Sequence, residues 1–305
     1  MQAPFSRYGP FVSGTIVILT AIFLFSVMGA IIKYLGPSYG AQQLSAFRNG
    51  FGLIPSCLVL LFSRDWHAAG RPIIIRQWKL GLLRGGFVAV AQVCFYAALV
   101  HIEFATASTL AFAGPLFITA LSVPVLREHV GGWRWTAVAI GFVGILFIMR
   151  PGSEIFTLYA VLPILAAFFY ACSSITVRLM DDDVPSATLN IYSTSGALLG
   201  ALLILFSTSR YTPVASAQDW LWLIALGIVG GCAVLGLIVA YRLTSPSNLA
   251  PFEYFGIPFS FVIGWFAFGE APFERLFPGA LLIVAGGLLI LWRERTLAPP
   301  DKAGP

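Results

Sequence analysis

Apolar residues along this chain occur in runs of about twenty, separated by short polar segments rich in glycine, proline and charged residues. A helix needs about twenty apolar residues to cross the hydrocarbon layer of a bilayer. The runs therefore predict an all-α polytopic membrane protein, and turn signals such as Gly36-Pro37 and Pro151-Gly152 mark its loops. We predict ten transmembrane helices, which begin near Ser13, Gln43, Leu80, Phe104, Trp133, Tyr159, Ser186, Trp220, Asn248 and Phe277.

Two segments of the chain repeat each other at a constant offset of 142 positions. Internal similarity over such a distance is typical of transporters that arose by duplication. The beginnings of the two halves match at an offset of 146 instead, so the change in length falls in a loop, where it costs little. At the offset of 142, identical residues pair as follows: Glu128 with Glu270, Trp78 with Trp220, Gly85 with Gly227, Ala91 with Ala233, Gly114 with Gly256, Phe117 with Phe259, Gly144 with Gly286, Leu146 with Leu288, and Ile148 with Ile290.

Each half contains an odd number of predicted spans, so the second half should enter the membrane from the opposite face. The two halves are then inverted repeats, related by a pseudo-two-fold axis in the membrane plane. Exchanging the conformations of the halves would turn a cavity open to one side into a cavity open to the other. We therefore predict a first five-helix repeat over residues 13–150 and an inverted second repeat over residues 151–292, flanked by an N-terminus (1–12) and a tail (293–305).

Composition and charge support a membrane location. The chain is 58% hydrophobic and 10% charged, whereas soluble domains carry about 25% charged residues. With a cytoplasmic N-terminus, twelve of the 18 Lys and Arg residues fall on the inner side, four fall on the outer side, and Arg48 and Arg84 lie within spans. This bias predicts that both termini are cytoplasmic. The net charge of +5 does not indicate a nucleic-acid partner, because the cations lie in separate loops.

The two end glutamates lie in segments that resemble a known family. Ten spans in two halves, each ending in an acidic residue and a glycine-bearing helix, resemble the EamA-type transporters of the drug/metabolite transporter (DMT) superfamily over nearly the whole chain. The second copy fits better, since Arg127 stands where Gly269 precedes the second glutamate. The segments that carry the resemblance are 124–128 with Gly141 and Gly144, and 247–254 and 268–270 with Gly279 and Gly286.

This resemblance implies a transporter of small organic metabolites, often an exporter, in a bacterial-type inner membrane. It implies a structural role for Glu128 and Glu270 and does not identify a substrate. Among such solutes we favour amino acids or related compounds, and a riboflavin-like vitamin or another metabolite taken up by the cell is the second choice.

Two arginines within the spans need separate explanations. A charge at the depth of Arg48 costs about 2.5–3.5 kcal/mol, so its side chain should face protein or water. Arg48 either holds a carboxylate or phosphate of the substrate, or reaches the outer surface or pairs with carbonyl oxygens. Arg84 lies six residues beyond Trp78. For Arg84 we favour a side chain that extends to the inner surface.

Glu253 is the carboxylate that lies within an apolar run, near the start of the ninth span. A low-dielectric cavity favours the neutral form of a carboxylate, so Glu253 is a candidate for proton coupling or substrate contact. Pairing with an arginine, or capping a turn after Pro251, are the alternatives. Its neighbours Phe252 and Tyr254 are candidates for the cavity wall.

Other polar residues within the spans are candidates for substrate binding. They are Gln92 and Tyr96 in the third span and Asn190 in the seventh. Polar side chains at this depth either line a cavity or join neighbouring helices by hydrogen bonds, and the sequence leaves both open.

Prolines and glycines in the fourth and ninth spans fall at matching places in the two halves. Pro115 lies in the fourth span, and Gly256 and Pro258 lie in the ninth. Proline removes a backbone hydrogen bond and permits a bend. These residues are candidate hinges, and fixed kinks are the alternative.

Motifs of enzymes are missing from the sequence. The three histidines form no HExxH motif, GxSxG is absent, and the four cysteines contain no CxxC pair. We therefore predict no enzyme activity, no cofactor and no metal site. The prediction is an alternating-access transporter, an exporter or exchanger, with a small-molecule substrate and membrane lipid as its partners. A channel is the competing class, and proton coupling and oligomeric state stay open.

Overall fold

A computed structural model of the chain describes residues 10–62, 67, 76–127, 132–150, 157–177, 179, 186–208, 211–243, 249, 252–270 and 272–297. Within these residues the chain forms α-helices and one short 3-10 helix, Leu158–Ala160, and no β-strand. The α-helices are α1 (Pro10–Leu35), α2 (Ala41–Leu61), α3 (Trp78–His101), α4 (Phe104–Ala111), α5 (Gly114–Leu126), α6 (Gly132–Met149), α7 (Val161–Val177), α8 (Ser186–Thr208), α9 (Ala217–Leu243), α10 (Gly256–Phe268), α11 (Phe273–Leu276) and α12 (Gly279–Leu297).

The all-helical prediction is confirmed for the described residues. Seven helical segments there are long and apolar enough to cross a membrane, and α4 and α5 together form one of them. Three shorter apolar helices lie at Trp135–Met149, Gly256–Phe268 and Gly279–Leu289. Helical membrane spans satisfy their own backbone hydrogen bonds, which explains this architecture in lipid. The count of ten spans stays a prediction.

Large apolar side chains cover the outside of the bundle. Leu203, Phe206 and Phe266 are 72%, 73% and 79% exposed. In water this surface would be unfavourable, but in a bilayer these side chains face lipid tails. The helices pack against one another in pairs, chiefly α1 with α9, α6 with α12, α3 with α8, and α2 with α9.

Two of these helix pairs approach closely at glycines that correspond in the repeat. A Cβ atom added at Gly85 of α3 would lie only 2.4 Å from the carbonyl oxygen of Ser193 on α8. At Gly227 of α9, 142 positions later, an added Cβ would lie 2.2 Å from the Cβ of Phe51 on α2. Glycine is therefore required at both crossings, because any side chain would separate the helices.

The segments predicted as the fourth and ninth spans break at corresponding residues. In the first half, α4 ends at Ala111 and α5 begins at Gly114. In the second half, residues 254 and 255 form a turn before α10 begins at Gly256. The hydrogen bonds also correspond: the N–H of Ala113 donates to the oxygen of Leu110, and the N–H of residue 255 donates to the oxygen of residue 252, both at 3.1 Å.

The candidate hinge residues follow these breaks. Pro115 is the second residue of α5, and Pro258 is the third residue of α10. Proline is tolerated in the first turn of a helix because N–H groups there have no partner within the helix. Gly256 opens α10. The structure thus places a discontinuity beside all three residues, and their role as hinges stays a prediction.

The helices that follow the breaks end in the same conformation. Arg127 after α5 and Gly269 after α10 both adopt left-handed backbone angles, with φ of 55° and 66°. These ends lie at opposite ends of the bundle, since Glu270 contacts Phe104 at the start of α4, whereas Arg127 follows the far end of α5. The left-handed conformation explains why glycine precedes the glutamate in the second copy.

Candidate functional site

A cavity of about 440 Å³ lies between the two halves of the chain. Its lining comes from α1, α2, α3 and α4 of the first half and from α7, α8, α9 and α10 of the second. Both breaks border it, through Phe112 and Gly256. The volume lies within the range of about 300–1,000 Å³ that is usual for small-molecule sites.

The structure brings together most of the predicted binding residues. Arg48, Gln92, Tyr96, Asn190 and Glu253 all line this one cavity. They come from four separate regions of the sequence, so their convergence is a property of the fold and not of local spacing. Their contact with a substrate stays a prediction.

Phe252 and Tyr254 lie outside the lining, contrary to the expectation for the cavity wall. Phe252 packs against Phe11, with ring centroids 6.3 Å apart. Tyr254 packs against Phe112 at 5.6 Å, and its hydroxyl lies against the backbone at Gly287. Adjacent residues in a helical turn point in different directions, so the neighbours of Glu253 do not share its face.

Arg48 is buried in the wall and incompletely paired. It is 7% exposed, and one of its terminal nitrogens donates to the side-chain oxygen of Asn49 at 2.9 Å. Its Nε has no hydrogen-bond partner. Gly230 of α9 leaves room for the guanidinium, because an added Cβ there would lie 3.0 Å from this Nε.

A network of buried polar side chains supports Arg48 from behind. The amide nitrogen of Asn49 donates to the oxygen of Gln92 at 2.6 Å, and the hydroxyl of Ser45 donates to the same oxygen at 2.7 Å. Asn190 donates to the hydroxyl of Ser56 at 3.0 Å. Gln92 and Asn190 therefore join helices and line the cavity at the same time, so the two alternatives left open by the sequence are both realised.

Arg84 does not extend to the surface as expected. It lines the cavity and donates from a terminal nitrogen to the hydroxyl of Ser193 on α8, while its Nε lacks a partner. The close crossing of α3 and α8 supplies this acceptor inside the bundle. The sequence contains a signal for this position. Arg84, Val88, Gln92 and Tyr96 follow one another at intervals of four, and residues four apart are neighbours on the surface of a helix.

The charge in the lining is predominantly positive. Arg48, Arg84 and Glu253 are its charged side chains among the described residues. Within the described part of the chain, no carboxylate lies within 4 Å of either guanidinium. Tyr96 adds a buried hydroxyl without a partner. The terminal nitrogens of both arginines therefore keep N–H donors that the described protein does not satisfy, as a site for an anionic group requires.

One end of the bundle is joined across the two halves by an ion pair. Lys33 Nζ lies 2.6 Å from Glu270 Oε1, and it also donates to the carbonyl oxygen of Ile102 at 2.8 Å. The second oxygen of Glu270 accepts the backbone N–H of Phe104 at 2.8 Å. Glu270 thus caps α4 and connects it to Lys33 on α1. These two contacts agree with the structural role that the resemblance implied for Glu270.

Further contacts between the halves lie at this same end. Tyr39 donates its hydroxyl to Asp219 at 2.7 Å, and the hydroxyl accepts the N–H of Ala215. The contact with Ala215 lowers the pKa of Tyr39, but burial and the Asp219 carboxylate outweigh it, so this pKa is raised and the phenol stays a donor. Gln43 forms two hydrogen bonds with the backbone of Thr212, at 2.7 and 2.9 Å.

Comparison with known proteins finds relatives along nearly the whole chain. The pseudopaline exporter CntI of Pseudomonas aeruginosa is 29% identical over 280 residues, covering 92% of this chain and 93% of its own. A riboflavin transporter of Vibrio cholerae is 28% identical, with coverage of 93% and 97%. An S-adenosylmethionine uptake transporter of Rickettsia prowazekii is 24% identical, with coverage of 93% and 94%.

A solved structure and a family match agree with the similarity to these transporters. One crystal structure of a protein matches 95% of this chain and 99% of its own chain, with a TM-score of 0.63 and 21% identity, which shows a shared fold. The EamA-like transporter family matches twice, over residues 12–150 and 157–292. The expected resemblance is confirmed, and this is a family of transporters and not of enzymes: the chain belongs to the EamA-like transporter family.

Proposed function

We propose that this protein is an alternating-access carrier of small organic metabolites, built from ten membrane-spanning helices in two inverted five-helix repeats. The observation that carries the proposal is the cavity of about 440 Å³ between the halves, which both halves line at their corresponding breaks. A carrier needs one binding site that two equivalent gates can expose in turn.

The contacts between the halves suggest how one gate works. The Lys33–Glu270 ion pair, together with the bonds of Tyr39 and Gln43 to the second half, closes one end of the bundle. Phe104 belongs to this group, and its ring also lines the cavity. Opening this end requires breaking these contacts, while the breaks in the fourth and ninth spans let the half-helices tilt without unwinding whole spans.

The substrate class follows from the cavity and from the relatives. Transporters named for pseudopaline, riboflavin and S-adenosylmethionine are all similar to this chain, so a small organic metabolite is the common cargo. The charged side chains in the wall favour amino acids or related compounds over neutral solutes. Uptake of a riboflavin-like vitamin is the second candidate, favoured by the Vibrio cholerae relative.

Glu253 is the candidate for proton coupling. It is the carboxylate of the cavity wall, and it lies immediately before the break of the ninth span. A carboxylate whose surroundings change as the cavity changes sides can take up a proton on one side and release it on the other.

We further propose a bacterial-type inner-membrane location with both termini in the cytoplasm. The threefold excess of Lys and Arg on the inner side supports this orientation. It predicts that cysteines at positions 76 and 275, in a variant without the native cysteines, react with an impermeant maleimide from opposite sides. Labelling of both from one side would contradict the inverted arrangement.

Transport by the purified protein in lipid vesicles tests the carrier proposal directly. A carrier saturates with substrate, and unlabelled substrate inside the vesicle accelerates uptake of labelled substrate. A channel passes solute without such acceleration. Linear uptake without an effect of internal substrate would therefore favour a channel and overturn the proposal.

A further inference from the structure

The cavity holds its two cations at different depths. Arg48 lies at the level of Gln92, because its neighbour Asn49 bonds to Gln92 at 2.6 Å. Arg84 precedes Gln92 by eight residues of α3. Eight residues correspond to about 12 Å of helix. The residues that carry the two guanidiniums therefore lie at two levels of one cavity, about two helical turns apart.

Both guanidiniums are held in place while keeping free donor capacity. Asn49 binds one nitrogen of Arg48, and Ser193 binds one nitrogen of Arg84. The Nε of each is buried and has no partner. Each guanidinium has five N–H donors, four of them on its terminal nitrogens, and a single terminal nitrogen of each is hydrogen-bonded to the described protein, so both keep donors for a ligand in the cavity.

The face of α3 between the two levels is apolar. Val88 lies midway between Arg84 and Gln92 on the cavity face of α3, and Phe112 also lines the cavity, which contains polar side chains such as Asn190 on α8 as well. Val88 and Phe112 match a hydrocarbon spacer and offer nothing to a polar one. Along α3 the cavity therefore presents a cation at Arg84, an apolar side chain at Val88, and then the level of the second cation.

We propose that the substrate of this carrier bears two carboxylates separated by an apolar spacer, with Arg48 binding one and Arg84 binding the other. A guanidinium binds a carboxylate through two parallel hydrogen bonds. Each level offers one positive charge, which one carboxylate neutralises, whereas a phosphate brings about −1.5 to −2. The inference rests on the proposed carrier function and makes Arg84 a determinant of specificity.

Binding to the purified protein tests the inference without requiring transport. Saturated α,ω-dicarboxylates from succinate to suberate are compared with monocarboxylates of the same chain lengths, by the ligand-induced rise in melting temperature. We expect dicarboxylates to bind at least about tenfold more tightly than the matched monocarboxylates once the chain spans both levels, since one charged hydrogen-bonded contact corresponds to about 10- to 100-fold in affinity.

Charge-removing variants identify the two contacts. Arg48→Gln and Arg84→Gln should each weaken dicarboxylates by about 10- to 100-fold while leaving monocarboxylates nearly unchanged, because the other arginine still binds them. Lys79→Gln is the matched control: Lys79 is an exposed cation on α3 outside the cavity lining. Arg84→Lys keeps the charge without the forked geometry and should lie between wild type and Arg84→Gln. The melting temperature without ligand shows whether each variant is folded.

Equal affinity for dicarboxylates and monocarboxylates would overturn the inference, as would unchanged dicarboxylate binding in folded Arg84→Gln. Vesicle uptake separates this inference from the carrier proposal. Saturable uptake of neutral solutes with no preference for dicarboxylates would contradict the binding of two carboxylates by Arg48 and Arg84, and would leave the carrier proposal intact. Tight dicarboxylate binding, lost in the arginine variants but accompanied by no transport of any solute, would contradict the carrier proposal alone.

Discussion

The two halves of the molecule share their backbone features but not the charged residues of the cavity. The breaks at residues 112–113 and 254–255 correspond, as do the left-handed ends at 127 and 269. At the offset of 142, Arg84 corresponds to Leu226, and Glu253 corresponds to Ala111. The breaks that we propose as hinges are therefore duplicated, whereas the charged residues of the cavity occur once. Substrate selectivity is thus a property of the asymmetric residues.

The largest effect is expected at the shared close crossings. Gly85→Ala places a methyl group 2.4 Å from the backbone oxygen of Ser193, which forces α3 and α8 apart. We expect a loss of stability of about 1–3 kcal/mol, seen as a lower melting temperature in detergent and lower uptake. Gly227→Ala should behave alike, since it is the corresponding crossing.

Gly86→Ala provides the control for this prediction. A Cβ there meets no atom within 4 Å, and alanine favours the helix by about 1 kcal/mol over glycine. It should therefore leave the protein at least as stable as wild type. Equal damage from Gly85→Ala and Gly86→Ala would show that the crossing is not tight.

The next effect concerns the end at which the halves are joined. Glu270→Gln keeps the shape of the side chain but removes the ion pair with Lys33 and weakens the cap on Phe104. A hydrogen bond to a charged group contributes about 1.5–3 kcal/mol, so closure of this end should be disfavoured by at least about tenfold. Faster modification of a cysteine at position 108, by a reagent supplied from this end, would report the opening.

Glu274→Gln is the matched control for the ion pair. Glu274 is exposed and lies near the same end, but the contact of Arg150 is with its backbone oxygen and not with its carboxylate. Its substitution should leave the modification rate unchanged. If both variants opened this end equally, general charge near the surface would explain the effect. The Glu270–Lys33 ion pair would then have no specific role in closing this end.

A smaller effect is expected at the carboxylate that only the second half supplies. If Glu253 carries the proton, Glu253→Gln fixes the neutral form and uptake should lose its dependence on pH, while exchange of substrate across the membrane continues. Uptake measured with and without a pH gradient checks this outcome. A pH response that survives in Glu253→Gln would remove the residue from proton coupling and leave only a contact role.

The smallest effect on stability is expected at the two left-handed helix ends, Arg127 and Gly269. Arg127 adopts φ of 55°, a conformation that glycine takes without strain. Arg127→Gly should therefore raise stability by about 0.5–1 kcal/mol, and Gly269→Ala should lower it by a similar amount. Opposite shifts in melting temperature are the expected result, and a loss of stability in both variants would contradict this explanation.

Much of the secondary structure was predictable because turn residues and the length of a bilayer-spanning helix fix the boundaries. Helices predicted to begin near Gln43, Leu80 and Trp133 begin within two residues of those positions. The predicted helix start near Asn248 and the end glutamate Glu128 fall outside the described residues. The break at residues 112–113 was anticipated as a bend at Pro115, but the chain turns before the proline and not at it.

The arrangement of the site was less accessible from sequence because rotation of each helix about its axis depends on packing. Residues at mid-membrane, such as Gln92 and Tyr96, were identified by polarity alone. Arg84 was assigned to the surface because distance from the membrane edge was considered without the position of Ser193, which only the packing of α3 on α8 reveals. Phe252 was predicted to line the cavity because it is adjacent to Glu253, but adjacent residues in a helical turn do not share a face.

The bare backbone of Gly230 beneath Arg48 has a consequence for the evolution of cargo choice. A methyl group there would lie 2.7 Å from the sulfur of Met28 and 3.0 Å from Arg48 Nε, so one mutation in α9 would shift both side chains, including an arginine carried by α2, without touching either break. Under the proposed carrier mechanism, such a substitution changes the binding of the solute and leaves the duplicated breaks unchanged. Relatives of similar length that are named for different solutes are the expected result of such changes.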